Sequence, residues 1–171
     1  MPSWLEEVYA CCAYEGVIKN CVHALKYRSR KHLAKPLGLI MAGCFKEDFS
    51  SKRFDLMIPV PLHRRSMLKR GFNQAELLLE QLVANTAKME VSTGNLTRAR
   101  NTRSQVGLSK KQRTANITGA FKVNNPGLFI GKNILLIDDV CTTGSTLNEC
   151  GKALKGAGAA EVSGFVLAHG G

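Results

Sequence analysis

The sequence predicts an α/β fold, a mainly parallel sheet flanked by helices and built as one domain. Three observations carry this prediction. Short apolar runs alternate with stretches of helical periodicity along the chain. One run, at 134–137, leads straight into Asp138-Asp139 and a turn rich in Thr, Gly and Ser, and open α/β sheets place their ligands at such strand ends. The length of 171 residues with 44% hydrophobic content suffices for one domain with a real core.

The elements follow in order. Val17, Ile18, Cys21, Val22 and Leu25 recur at helical spacing, which predicts an amphipathic helix over 14–27 with His23 and Lys26 at its surface or edge. A second helix is expected at about 31–46, with Pro36 in or near its first turns. Residues 55–60 read as a buried strand closed by Pro59-Val-Pro61, and a loop is expected from there to Gly71. The run 73–87 reads as a strong helix, followed by a short strand near 95–99. Residues 100–108 are polar and lack apolar periodicity. Ser109 and Gln112 have capping-box spacing and predict a short helix start. Residues 119–123 read as a strand and Asn124-Asn-Pro-Gly127 as a turn. The strand at 133–138 is followed by a helix over about 145–156, ended by Gly156 and Gly158, and by a last strand at 162–168. No interdomain linker is visible. Residues 1–50 are expected as a small N-terminal helical hood and 51–171 as the core of the same domain.

Composition excludes several classes. No apolar run approaches membrane-spanning length, so no membrane insertion is expected. The start, Met-Pro-Ser-Trp-Leu-Glu-Glu, carries acids and no apolar h-region, so a cytoplasmic protein is expected. The six cysteines form no C-x-x-C pair, which argues against a zinc site and for reduced thiols. Cys141 lies inside the Thr/Gly/Ser turn, but no activating base for it is evident. The net charge of +11 favours anionic ligands, with a solvated basic surface as the bland alternative. The sequence sets no oligomeric state.

The chemistry concentrates at 133–146. Asp138 and Asp139 are acceptors for sugar hydroxyls. Thr142, Thr143, Gly144, Ser145 and Thr146 supply small side chains, hydroxyls and helix-start amides suited to a phosphate. Together they fit a sugar phosphate. The block resembles the PRPP-binding motif of the type I phosphoribosyltransferases, in which an apolar strand leads into two acids and a Thr-Thr-Gly-Ser/Ala-Thr loop.

The resemblance extends through Tyr14-Glu-Gly-Val-Ile, His23-Ala-Leu-Lys-Tyr27, Ile58-Pro-Val-Pro-Leu-His-Arg-Arg65 and Arg70-Gly-Phe-Asn-Gln-Ala-Glu76. It continues in Arg100-Asn-Thr-Arg-Ser-Gln105, Arg113-Thr-Ala-Asn116 and Gly119-Ala-Phe121. Over about 14–168 the chain is similar to the ComF family, which includes the late-competence protein ComFC and GntX-like proteins. Members commonly carry an N-terminal four-cysteine zinc finger, and no such finger is present in this sequence.

The resemblance implies a type I phosphoribosyltransferase fold and Mg²⁺-dependent transfer of phosphoribose from PRPP to an unknown acceptor. Asp138 and Asp139 would be the catalytic acids on the ribose hydroxyls, and Thr142 to Thr146 would hold the 5′-phosphate. Pro61, Leu62, His63, Arg64 and Arg65 occupy the pyrophosphate-loop position, where His63 is either a general acid or a loop histidine contacting its own backbone. Arg100, Arg103 and Gln105 match the flexible loop that closes over PRPP, or form an ordinary surface loop. Mg²⁺ would be held chiefly by ligand oxygens, so no protein metal cage is expected. The resemblance also implies an alternative: a non-enzymatic or PRPP-sensing DNA-uptake protein that contacts single-stranded DNA or the competence machinery.

Overall fold

The computed structural model describes residues 3–49, 54–86, 89–100 and 110–170. Five strands form the main sheet: β1 (Val8–Ala13), β2 (Leu56–Pro59), β3 (Glu90–Val91), β6 (Asn133–Cys141) and β7 (Glu161–His169). Their order is β1-β7-β6-β2-β3, and every neighbouring pair is parallel. Strands β4 (Leu96–Arg98) and β5 (Phe121–Val123) pair antiparallel beside it. The helices are α1 (Gly16–Tyr27), α2 (Ala34–Asp48), α3 (Arg64–Arg70), α4 (Gln74–Ala84), α5 (Lys110–Ile117) and α6 (Ser145–Gly156). A mainly parallel sheet flanked by helices is therefore the architecture, as expected.

Strand β6 divides the core. Successive side chains of a strand point to opposite faces. Leu135 and Ile137 face one apolar cluster, with Val22 and Leu25 of α1, Leu37 and Met41 of α2, and Leu78 and Leu82 of α4. Ile134 and Leu136 face the other, with Leu147, Cys150 and Leu154 of α6. Full burial on both faces explains the unbroken apolar run at 134–137.

The N-terminal fifty residues contain both expected helices, and also a strand that the pattern did not announce. Strand β1 pairs with β7 at the sheet edge, with Val8 opposite Gly164. Phe49, at the end of α2, fastens this part down. Its ring lies 4.6 Å from Tyr9, 4.9 Å from Phe45 and 5.1 Å from Phe165 of β7, centroid to centroid. These residues therefore share the core of the sheet.

Three further differences concern the site. The expected loop up to Gly71 contains α3, which His63 starts and Gly71, at φ +80°, ends. Strand β6 runs on through the two acids to Cys141, because β7 is equally long and keeps pairing as far as Cys141 opposite His169. The two-residue strand β3 was not expected. Helix α5 is present, but its expected cap Ser109 lies outside the described residues. Among the described residues no helix is long and apolar enough to cross a membrane.

Candidate functional site

Strand β2 ends beside its neighbour β6 just before the acid pair. Pro59 is in register with Ile137, and the Val60 N–H donates to the Ile137 carbonyl at 2.8 Å. The loop after β2 thus lies beside the acid pair. Asn73 fixes it there: its Nδ2 donates to the Val60 carbonyl at 3.0 Å, and its Oδ1 accepts from the Ala75 N–H at 3.1 Å as the cap of α4. Asn73 is 2% exposed, so this tie is sealed from water.

Strand alternation sends the two acids to opposite faces. Asp139 points to the α1 side, where Lys26 Nζ lies 2.6 Å from its Oδ2. Burial alone would draw the Lys26 ammonium down, but Asp139 and then Asp138 outweigh it, and the net shift is upward. Asp138 points to the α6 side and is half-buried. Its Oδ1 accepts from the Asp139 N–H at 2.8 Å. Burial and then the Asp139 charge push its carboxyl up to about 8, while Lys26 pulls the other way. Arg98 of β4 comes close enough on this side for Asp138 to act on it, although burial dominates and lowers the guanidinium.

The raised Asp138 value has a stability consequence. A folded-state value near 8 against an ordinary 3.8 means that the fold prefers the protonated acid. Its stabilising contribution is complete below about pH 4 and is lost as pH rises towards 8. Denaturant unfolding at pH 5 and pH 8 is expected to show that Asp138→Asn, a mimic of the neutral acid, flattens this fall. An unchanged pH difference between the variant and the parent would refute the assignment.

The turn after β6 is built for close approach to its backbone. Gly144 has φ +71° and leads into α6, whose first residue is Ser145. Thr143 Oγ1 lies 2.9 Å from Ser145 Oγ and accepts from the Ser145 N–H at 3.4 Å. Thr142 is exposed, and Thr143, Gly144, Ser145 and Thr146 are half-buried. Cys141 is buried beneath the turn. Burial raises its thiol above the ordinary value despite a hydrogen bond from the Gly144 backbone, so it stays protonated and unreactive.

Of the loop after β2, Pro61, Leu62 and His63 are half-buried and Arg64 and Arg65 are exposed. His63 Nδ1 accepts from the Arg65 N–H at 3.2 Å, so its side chain serves as the cap of α3. Arg64 and Arg65 form the first turn of that helix and face solvent. Arg100 donates through Nη2 to the carbonyls of Asn116 at 3.0 Å and Thr118 at 2.6 Å, tying the end of the β4 segment to the end of α5. Arg103 and Gln105 lie outside the described residues. The structure thus brings Asp138, Asp139, the 142–146 turn and the 60–65 loop together.

Sequence reasoning missed Lys26, Asn73 and Arg98 as site residues. Lys26 and Asn73 sit inside stretches already noted, His23-Ala-Leu-Lys-Tyr27 and Arg70-Gly-Phe-Asn-Gln-Ala-Glu76, and that was the available signal. Among the described residues no group of three or more His, Cys, Asp or Glu side chains is placed to hold a metal ion.

Comparison with known proteins agrees with this geometry. Residues 66–171 match the family model described as "Phosphoribosyl transferase domain". The chain is 38% identical over 175 residues to Competence protein F of Haemophilus influenzae, covering 98% of this chain and 74% of that one. It is 30% identical over 172 residues to DNA utilization protein YhgH of Escherichia coli K12, covering 97% and 73%. It is 32% identical over 157 residues to Competence protein ComFC of Bacillus subtilis, covering 90% and 60%. Among solved structures, the allosteric regulatory enzyme of purine biosynthesis superposes with a TM-score of 0.51 at 16% identity, over 78% of this chain and 26% of that one, which shows a shared fold. A parallel sheet that sets two acids beside a glycine turn, a phosphoribosyl transferase match over most of the chain and likeness to competence proteins along nearly all of this chain converge: the chain belongs to the ComF family within the type I phosphoribosyltransferase superfamily.

Proposed function

We propose that the chain binds PRPP with Mg²⁺ and transfers its phosphoribosyl group to an acceptor. The observation that carries this reading is the junction of β6 and α6: two carboxylates, a left-handed Gly144 and a helix start within eight residues. Asp138 and Asp139 accept hydrogen bonds from the ribose hydroxyls. Lys26 takes Asp139 Oδ2, which leaves Oδ1 to the sugar. The Thr143 and Ser145 hydroxyls and the amides of the turn hold the 5′-phosphate. Arg64 and Arg65, on the neighbouring loop, meet the pyrophosphate as its bond to C1 breaks and the acceptor's bond forms. Arg100 anchors the segment that leads into the expected lid. The hard-oxygen donors fit Mg²⁺ arriving with the ligand, where it would neutralise pyrophosphate charge, and the half-buried Asp138 would support it rather than Asp139, which Lys26 already holds. The free thiols at all six cysteines fit work in the cytoplasm.

Calorimetry with PRPP, with and without Mg²⁺, tests binding. Pyrophosphate release across bases, amines and water tests transfer and selects the acceptor. Gly144→Val is expected to weaken ribose 5-phosphate binding at least about tenfold while far-ultraviolet circular dichroism is retained, since a β-branched residue is strained at positive φ. Normal binding by this variant would put the phosphate elsewhere.

A second reading, handling of single-stranded DNA with or without transfer chemistry, is favoured by the relatives' names, which tie them to competence and DNA utilization.

A further inference from the structure

Positive charge is not spread evenly along this chain. Residues 16–46 contain seven Lys and Arg and no Asp or Glu, and residues 56–75 contain four and again no acid. The fold joins the two stretches. The Arg70 guanidinium lies 5.7 Å from the Tyr27 ring centroid, and Lys31 Nζ lies 5.0 Å from the centre of the Phe72 ring. Arg28, Arg30 and Lys31 on one stretch and Arg64, Arg65 and Lys69 on the other are all exposed.

An aromatic face sits within this basic surface. Tyr27 is 58% exposed, and its ring is backed by His23 at 4.8 Å and by Arg70. Arg28, Arg30 and Lys31 follow Tyr27 in the chain, around Ser29 at φ +52°. Leu68, 75% exposed on α3, adds an apolar contact among Arg64, Arg65 and Lys69.

We propose that this surface binds a single nucleic-acid strand, with phosphates along the basic residues and a base stacked on Tyr27. The charge supplies attraction without sequence preference. The exposed ring adds what a duplex cannot use, because paired bases keep their faces stacked on one another. Lys26, next to Tyr27, reaches Asp139, so the strand passes along the border of the sugar-phosphate site. The inference rests on the DNA-handling reading and not on phosphoribosyl transfer.

Fluorescence anisotropy of the full chain with a labelled oligothymidylate of about 20 nucleotides tests the proposal. Log affinity is expected to fall linearly with log salt, by about 0.7 per phosphate neutralised. Tyr27→Ala is expected to weaken binding about tenfold with an unchanged slope, and Tyr27→Trp to restore it. The double reversal Arg28→Glu, Arg30→Glu is expected to flatten the slope by at least about 1.4. Lys152→Glu, at an exposed position of α6, is the charge control and is expected to leave the slope nearly unchanged. If the parent chain binds no strand at low salt, the DNA-handling reading and this surface both fall. If the strand binds but the Tyr27 and Arg28/Arg30 variants match the parent, or Lys152→Glu costs as much as they do, only the placement falls. Equal affinity for a duplex of the same length or for anionic lipid vesicles overturns the single-strand assignment.

Discussion

Lys26→Met is expected to lower the unfolding free energy by about 3 kcal/mol, because it leaves the Asp139 carboxylate buried without its cation. Asp139 is 2% exposed, and the Lys26 side chain is 20% exposed, so solvent screens the pair only weakly. The double variant Lys26→Met, Asp139→Asn is expected to regain most of that loss, since the orphaned charge is gone. Urea unfolding of the parent, both single variants and the double variant closes the cycle. Additive effects would mean that the two side chains do not act as a pair. The cation comes from α1, outside the residues 66–171 that match the phosphoribosyl transferase domain, so the N-terminal helix completes the electrostatics of a site made elsewhere.

The second large effect is on ligand affinity. Above pH 8, where Asp138 has shed its proton, Asp138→Asn with Asp139→Asn is expected to cost about 2–4 kcal/mol in PRPP binding, roughly 30- to 800-fold, as two charge-assisted hydrogen bonds become neutral ones. Calorimetry in the presence of Mg²⁺ measures it, and unchanged affinity would remove the acids from the site. The parent chain is also expected to bind PRPP more tightly as pH rises to about 8, because Asp138 then sheds the proton that burial favours. Asp138→Asn should remove that climb.

Much of the molecule was legible before any coordinates. The runs at 55–60, 133–138 and 162–168 are apolar because parallel strands are buried on both faces, and each is a strand of the main sheet. The acid pair and the turn after it were equally visible, since backbone conformation at a phosphate-type turn demands Gly at a fixed place. What escaped depends on distant partners. Strand β1 is a half-exposed edge with β7 as its one sheet neighbour among the described residues, so its pattern shows little contrast. Helix α3 reads Arg-Arg-Ser-Met-Leu-Lys-Arg and buries none of these residues, so no apolar period marks it; a cap and a glycine stop define it instead. Lys26 looked like a surface residue because nothing in α1 tells which strand its face will meet. The role of Asn73 likewise emerges only when β2 ends beside it.

The order β1-β7-β6-β2-β3 carries a consequence for how this chain is made. Among the described strands the earliest in sequence pairs with the latest, and Val8 meets Gly164 only when β7 is in place. Until then β1 waits without a neighbour, and α2 lacks the Phe165 ring that receives Phe49. Contacts so remote along the chain close slowly. Closing the sheet therefore requires β7 to enter between β1 and β6. Until it does, the edge of β6 that pairs with β7 is open, and an unpaired strand edge of this kind is where a partly folded chain is prone to associate.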